Sequence, residues 1–252
     1  MKTIAIYNNK GGIGKTTTAV NMAYELTARG YKVLLIDTDP QGNASSFYGR
    51  YDLTKASVTD LLLGLRPTRC RWRTKYKHLD IVPANRNLRT VKPEKLVGGV
   101  ETLRRALWVY ENHYDYCIID CAPGAGFMIE VVMNAVEDVI IPLNPDVFSA
   151  EGLGTTLDVI NEFGDKRIHA GCLFTEFYKN KETVELVRNV MSTMDVMVYG
   201  NLIRRCGSVP HSIKVRKPLA KCASRSTAAE DYRDFTNEYL EKEDKSWHCL
   251  RA

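Results

Sequence analysis

The segment Lys10-Gly11-Gly12-Ile13-Gly14-Lys15-Thr16-Thr17 stands between an apolar run, Thr3 to Tyr7, and an amphipathic stretch, Lys15 to Arg29. Glycines at 11, 12 and 14 let the backbone turn tightly and aim successive N–H groups inward, and a helix N-terminus adds positive potential at the same point. Strand, glycine loop and helix in that order make a cradle for phosphate. Lys15 is placed to neutralise the outer phosphates of a nucleotide, and Thr16 to set its hydroxyl on Mg²⁺. The common spacing G-x-x-x-x-G-K-[ST] asks for glycine at position 9, where Asn9 stands instead, and Lys10 adds a second cation to the loop.

The rest of the chain agrees with such a beginning. Short apolar runs recur at Val33 to Asp37, Leu79 to Pro83, Tyr114 to Asp120, Asp138 to Pro142 and His169 to Phe174. Helical patterns, among them Val100 to Trp108 and Glu182 to Met194, separate them. Alternation of this kind predicts an α/β fold, a doubly wound, mostly parallel sheet with helices on both faces, and the phosphate loop at its start makes the expected sheet one of P-loop NTPase type. The last expected helix, Thr227 to Leu240, places Ala228, Tyr232, Phe235 and Tyr239 on one stripe. No repeat, low-complexity tract or Gly/Ser linker divides the 252 residues, so one domain, 1–252, is expected.

Composition excludes several classes. The apolar runs fall far short of the roughly 20 residues that span a bilayer, and the first residues are too polar for a signal peptide. A cytoplasmic protein with no membrane partner is expected. Seven cysteines without a C-x-x-C pair suit neither a disulfide framework nor structural zinc. The net charge of +5 is uneven: Leu61 to Leu79 carries +6 and Val196 to Ala229 carries +7, neither with an acid, leaving −8 elsewhere. Such concentration is the footprint of a surface that meets polyanions. Within the first window Arg69, Arg71, Arg73, Lys75 and Lys77 alternate with other residues, which on a strand puts five cations on one face and Trp72 and Tyr76 on the other. Stacking of the two rings on nucleic acid is one reading of this pattern; the other, preferred here, is an edge strand guarded by charge.

The K-G-G-x-G-K-T-T loop resembles the deviant Walker motif of the ParA/MinD family, and three further stretches extend the likeness over nearly the whole chain. Asp37-Thr38-Asp39-Pro40-Gln41-Gly42-Asn43 is similar to the family's D-x-D-P-Q-G-N switch, and Tyr116 to Asp120 to its Walker B strand. Ile141 to Asp146, through Glu151-Gly152-Leu153, is similar to I-P-x-x-P-E-x-x-x-x-E-G-L. The resemblance implies ATP and Mg²⁺ as cofactors and Lys10, Lys15 and Asp39 as catalytic residues. Lys10 would reach a partner subunit's nucleotide, and Asp39 would orient or deprotonate the attacking water. Gly11 through Thr17 would cradle phosphate, Thr16, Asp37 and Asp120 would lie at the metal, and the 141–153 stretch would touch across a dimer. Arg205 and Cys206 would lie near the base, with Cys206 where the family has Asn.

The function implied is a partition ATPase: an ATP-dependent homodimer that binds nonspecific DNA, rides the nucleoid, and is released when a ParB-like adaptor stimulates hydrolysis. Arg204, Arg205, Lys214, Arg216, Lys217, Lys221 and Arg225 are the expected DNA contacts, although Ser208 stands where chromosomal relatives carry arginine. With the loop at residue 10, no helix-turn-helix is expected ahead of it. The alternative is a MinD-like or other cargo-positioning ATPase, but a membrane role calls for a basic amphipathic C-terminal helix. Here the terminus reads Glu241-Lys242-Glu243-Asp244-Lys245. An iron-sulfur reductase would need a second cysteine in a glycine-rich context to join Cys121.

Overall fold

Valine- and isoleucine-rich runs pack well on pleated surfaces, and each apolar run forms a strand in the computed structural model. The structure describes residues 1–164 and 168–249, with backbone alone at 147–151 and 244–249. The strands are β1 (Lys2–Ile6), β2 (Val33–Asp37), β3 (Trp72–Arg73), β4 (Leu79–Val82), β5 (Tyr116–Asp120), β6 (Asp138–Leu143), β7 (His169–Phe174) and β8 (Met197–Val198). They form one sheet in the order β3-β4-β2-β5-β1-β6-β7-β8. Every pairing is parallel except β3 with β4.

Successive residues of the central strands enter opposite cores. Leu34, Ile36, Cys117, Ile119, Val139 and Ile141 face one side; Val33, Leu35, Ile118, Ile4, Ile6 and Ile140 face the other. Helices cover both faces, as a sheet buried on two sides requires. The first helix, Lys15–Ala28, and the last, Thr227–Cys249, pack together on the second face. The stripe of Ala228, Tyr232, Phe235 and Tyr239 is buried there, with the Phe235 ring edge-on to Tyr199 at 4.9 Å.

Two expectations shift. The helix expected from Val100 begins at Thr102, because Gly98 and Gly99 take φ of 97° and 61° and only a 3₁₀ turn, Gly99–Glu101, precedes it. The alternating basic stretch does form the sheet edge, but as two residues, not nine. Thr74 ends it: its hydroxyl donates to Leu79 O at 2.7 Å and curls the chain into a turn that closes through His78 at φ 66°. Trp72 and Tyr76 still pack inward on the second core, while Arg73, Lys75 and Lys77 are exposed.

Candidate nucleotide site

The register of the sheet assembles the site. β5 lies between β1 and β2, pairing Ile6 with Asp120 and Asp37 with Asp120 across neighbouring strands. Two carboxylates and the loop that follows β1 therefore share the C-terminal edge of the sheet, where open α/β sheets bind ligands.

The loop is braced from several sides. Gly12 and Gly14 take φ of 74° and 85°, and Gly14 caps the first helix. A Cβ at Gly14 would meet Thr175 at an ordinary 3.6 Å, so backbone conformation and not space demands glycine there. Asn8 Nδ2 donates to Pro142 O at 2.9 Å, and Asn8 Oδ1 accepts from Lys10 N at 2.9 Å and from Thr156 Oγ1 at 3.1 Å. Thr175 Oγ1, just past β7, donates to Ile13 O at 3.0 Å. The sequence reading missed Asn8, Thr156 and Thr175; the one available signal was Asn8, a polar residue directly after an apolar strand.

The two loop lysines face different ways. Lys15 is buried, its Nζ donating to Asn8 O at 3.0 Å and Lys10 O at 2.6 Å. Burial lowers its pKa, opposed by the charges of Cys121, Asp120 and Asp39. Lys10 lies at the rim, its Nζ on the two oxygens of Asp146 at 3.0 and 3.1 Å, with both side chains more than a third exposed. In this subunit Asp146 thus holds Lys10 within the same chain. Of the neighbouring segment, the side chain of Glu151 lies outside the described residues.

The three aspartates differ. Asp37 is occupied by its own switch: Oδ1 accepts from Asp39 N at 3.0 Å, and Oδ2 from Ser45 N at 2.9 Å and Ser45 Oγ at 2.7 Å. Burial nevertheless pushes its pKa up to about 6. Its first role in the structure is to brace the short helix Asn43–Phe47. Asp39 is buried and accepts from Gln41 N at 2.8 Å through Oδ1, leaving Oδ2 without a protein donor among the described residues. Asp120 is wholly buried, and among the described residues neither oxygen meets a donor within hydrogen-bond geometry. Burial and the facing Asp37 push its pKa well up, while Thr16 and Lys15 act in the opposite sense.

An orphaned buried carboxylate beside a helix-start hydroxyl fits a hard divalent cation that keeps waters and phosphate oxygens as its other ligands.

The wall beyond β7 carries the remaining candidates. Ile203 N donates to Phe174 O at 2.8 Å and Arg205 N to Phe177 O at 2.8 Å, which sets Arg205 and Cys206 beside the strand end whose Thr175 touches the loop. Cys206 is half-buried with Sγ 3.0 Å from Ser208 Oγ. That hydroxyl, then Thr227 and two backbone N–H groups, draw its pKa down to about 7 against the opposing effect of burial.

Among the basic candidates, Arg205, Lys214, Arg216, Lys217, Lys221 and Arg225 are exposed. Arg204 is exposed too but already neutralised: Nε and Nη2 donate to Asp231 Oδ1 at 3.0 and 2.6 Å, and its N–H to Oδ2 at 2.8 Å. Its side chain nevertheless stays half exposed. The exposed face of the last helix reads as acidic in sequence, yet Asp231 is turned inward by this pairing.

A family model described as an AAA domain (AAA_31) matches residues 1–170. The chain is 31% identical to the sporulation initiation inhibitor protein Soj of Bacillus subtilis, with 94% of this chain and 97% of that protein covered. It is 30% identical to the chromosome partitioning protein ParA of Myxococcus xanthus, at 95% and 88% coverage. Among solved structures, cobyrinic acid a,c-diamide synthase from Mycobacterium smegmatis, with bound ATP analog and magnesium, superposes with a TM-score of 0.85. Its identity is 27%, and 98% of this chain and 97% of that chain are covered. The cell division ATPase MinD of Pyrococcus furiosus shares the fold, with a TM-score of 0.78 at 21% identity and coverage of 95% and 98%.

Fold and loop together define a P-loop ATPase. The chain belongs to the ParA/MinD family.

Proposed function

We propose that this chain is a Mg²⁺-dependent partition ATPase: ATP closes a dimer, the dimer binds DNA without regard to sequence, and an adaptor of ParB type stimulates hydrolysis and release. The observation that carries the reading is the opposed setting of the two loop lysines, one turned into its own loop and one at the rim. An inward lysine serves its own triphosphate; a rim lysine can serve a neighbour's, as an arginine finger does in trans. ATP favours the dimer only if it contacts that state more strongly than two monomers, and Lys10 is the group able to supply the difference.

In this mechanism the N–H groups of Gly11 to Thr17 cradle the phosphates and Lys15 neutralises them. Thr16 Oγ1 and Asp120 would hold Mg²⁺, with Asp37 behind them positioning the switch; the chemistry the ion would supply there is screening of charge on the phosphate oxygens. Asp39 Oδ2 accepts the hydrogen bond, and then the proton, of the attacking water. Arg205 and Cys206 flank the base. The exposed cations from Lys214 to Arg225, with Arg205, contact DNA phosphates and release counterions, so binding weakens steeply with salt. A dimer of this kind would sit on bulk DNA in the cytoplasm.

A membrane-cycling role would need a helix with an unused apolar face. Through Leu240 the last helix turns its apolar stripe into the core, and no described helix is long and apolar enough to cross a membrane.

The test is DNA binding with ATP, with ADP and without nucleotide, repeated for Lys10→Ala and Asp39→Ala. ATP-dependent binding is expected, abolished by Lys10→Ala and retained by Asp39→Ala with hydrolysis lost. Equal binding in all nucleotide states would overturn the switch, and flotation with anionic vesicles in place of DNA binding would move the reading to the MinD type.

A further inference from the structure

The two acid-free windows are separated by 116 residues, 80–195, yet they meet on the outer face of the first helix. The ring of Tyr24, on that helix, sits edge-on to the ring of Tyr76 with centroids 5.2 Å apart. Lys221, from the C-terminal window, lies over Tyr24 at 5.7 Å, and Lys75, from the other window, lies over Tyr76 at 5.3 Å. Two amines from opposite ends of the sequence thus bracket one pair of rings. From Lys75 the cations continue to Arg73 on the sheet edge and to Arg50, whose Nε donates to Arg73 O at 2.8 Å. Arg50, Lys55, Arg71, Trp72 and Arg73 line a cavity of about 430 Å³ there, with Asp52 as its acid. Asp52 is engaged by Lys55 at 3.7 Å, and Arg71 by Asp80 and by Tyr114, each at 2.9 Å.

We infer that Arg73, Lys75 and Lys77, with Arg50 beside them, form a second phosphate-binding stretch that is continuous with the Lys217–Lys221 region. One duplex would be contacted along the whole face. The inference rests on the DNA-binding reading above and extends it to a segment outside the motifs on which that reading was built.

The aromatic residues decide the class of ligand. Single strands are bound by stacking bases on exposed rings. Here Trp72 donates Nε1–H to Ala56 O at 2.9 Å under the Lys55 amine at 5.2 Å, and Tyr76 packs between Tyr24 and Tyr48. The rings are occupied by the fold and the cations face outward, an arrangement that meets a charged backbone and not a base. From the cavity that Arg50 and Arg73 line, the cations continue through Lys75 to Lys221, an extent that suits an extended polyanion better than a single phosphate.

The triple variant Arg73→Gln, Lys75→Gln, Lys77→Gln tests this, with affinity for a labelled duplex of mixed sequence measured across salt concentrations on ATP-loaded protein. The slope of log K against log salt should become shallower by about 0.9 for each phosphate contact removed, roughly 2 to 3 in all. The charge-conserving triple Arg73→Lys, Lys75→Arg, Lys77→Arg should keep the parent slope. That control, with matching thermal midpoints for the three proteins, separates lost contacts from a damaged edge. A glutamine triple with the parent's slope and affinity overturns the second stretch while leaving the partition reading intact. Failure of the parent itself to bind duplex with ATP removes both. Tighter binding to single strands, or to anionic vesicles, than to duplex overturns the choice of ligand.

Discussion

Asp120 and Asp37 stand side by side at the ends of neighbouring strands, and among the described residues well-formed hydrogen bonds reach Asp37 and not Asp120. Both have pKa values raised by burial, so the folded state holds protons that the unfolded chain has released, and stability falls as pH rises from about 4 through 6 and beyond. Asp120→Asn should therefore stabilise the metal-free protein at pH 8 by about 1 kcal/mol, or roughly 2–4 °C for a chain of this size. The gain should shrink towards pH 4, where the native carboxyl is already neutral; urea unfolding at the two pH values checks it. Cys206 offers a second probe. With its pKa near 7, it should be alkylated faster at pH 7.5 than Cys70, Cys117, Cys121 and Cys172, whose thiols burial pushes up. Mass spectrometry should also show that ATP slows the reaction if the thiol flanks the base. The glycines, lysines and aspartates of the site were legible as residue types at fixed spacing. That Asp146 holds Lys10 was not, because the two lie 136 positions apart and an aspartate after a proline carries no local mark of its partner.

At the scale of elements, burial against the sheet dominates. The last helix has a low-hydropathy sequence overall, and its place depends on four residues at helical spacing. Phe235→Ala should cost about 3–5 kcal/mol, since the ring is fully buried and a cavity beside Tyr199 would be left; denaturant midpoints at unchanged slope would show it. Gly14→Ala should cost about 1–2 kcal/mol through backbone strain alone and weaken nucleotide binding, measured by calorimetric titration. Periodicity told strands from helices and which stripe of the last helix is inward. It placed the ends less well, since glycine pairs such as Gly98-Gly99 and a single hydroxyl at Thr74 stopped elements that the apolar pattern would have continued. Nor does periodicity reveal which strands become neighbours, and it is the insertion of β5 between β1 and β2 that creates the site.

For the whole molecule, a lysine supplied by a partner has a consequence that mixing can test. Lys10→Ala lacks the donated amine and Asp39→Ala lacks the base, so each homodimer should be inactive. In a mixed dimer, the Lys10→Ala protomer keeps its own Asp39 and receives Lys10 from its neighbour, restoring one site of two. Equal mixtures should regain about a quarter of the parent's rate if subunits exchange at random. No recovery at any ratio would mean that the amine acts within its own chain.

The first helix begins as the phosphate cradle and carries Tyr24, the junction of the two basic windows, less than three turns later. On the proposed reading, nucleotide and polyanion would then be read by the two ends of one helix. One extra residue slipped in between Thr18 and Tyr24 would swing the far end by about 100° and carry the buried Leu26 away from the core. The packing of this helix therefore locks the phase between its two ends.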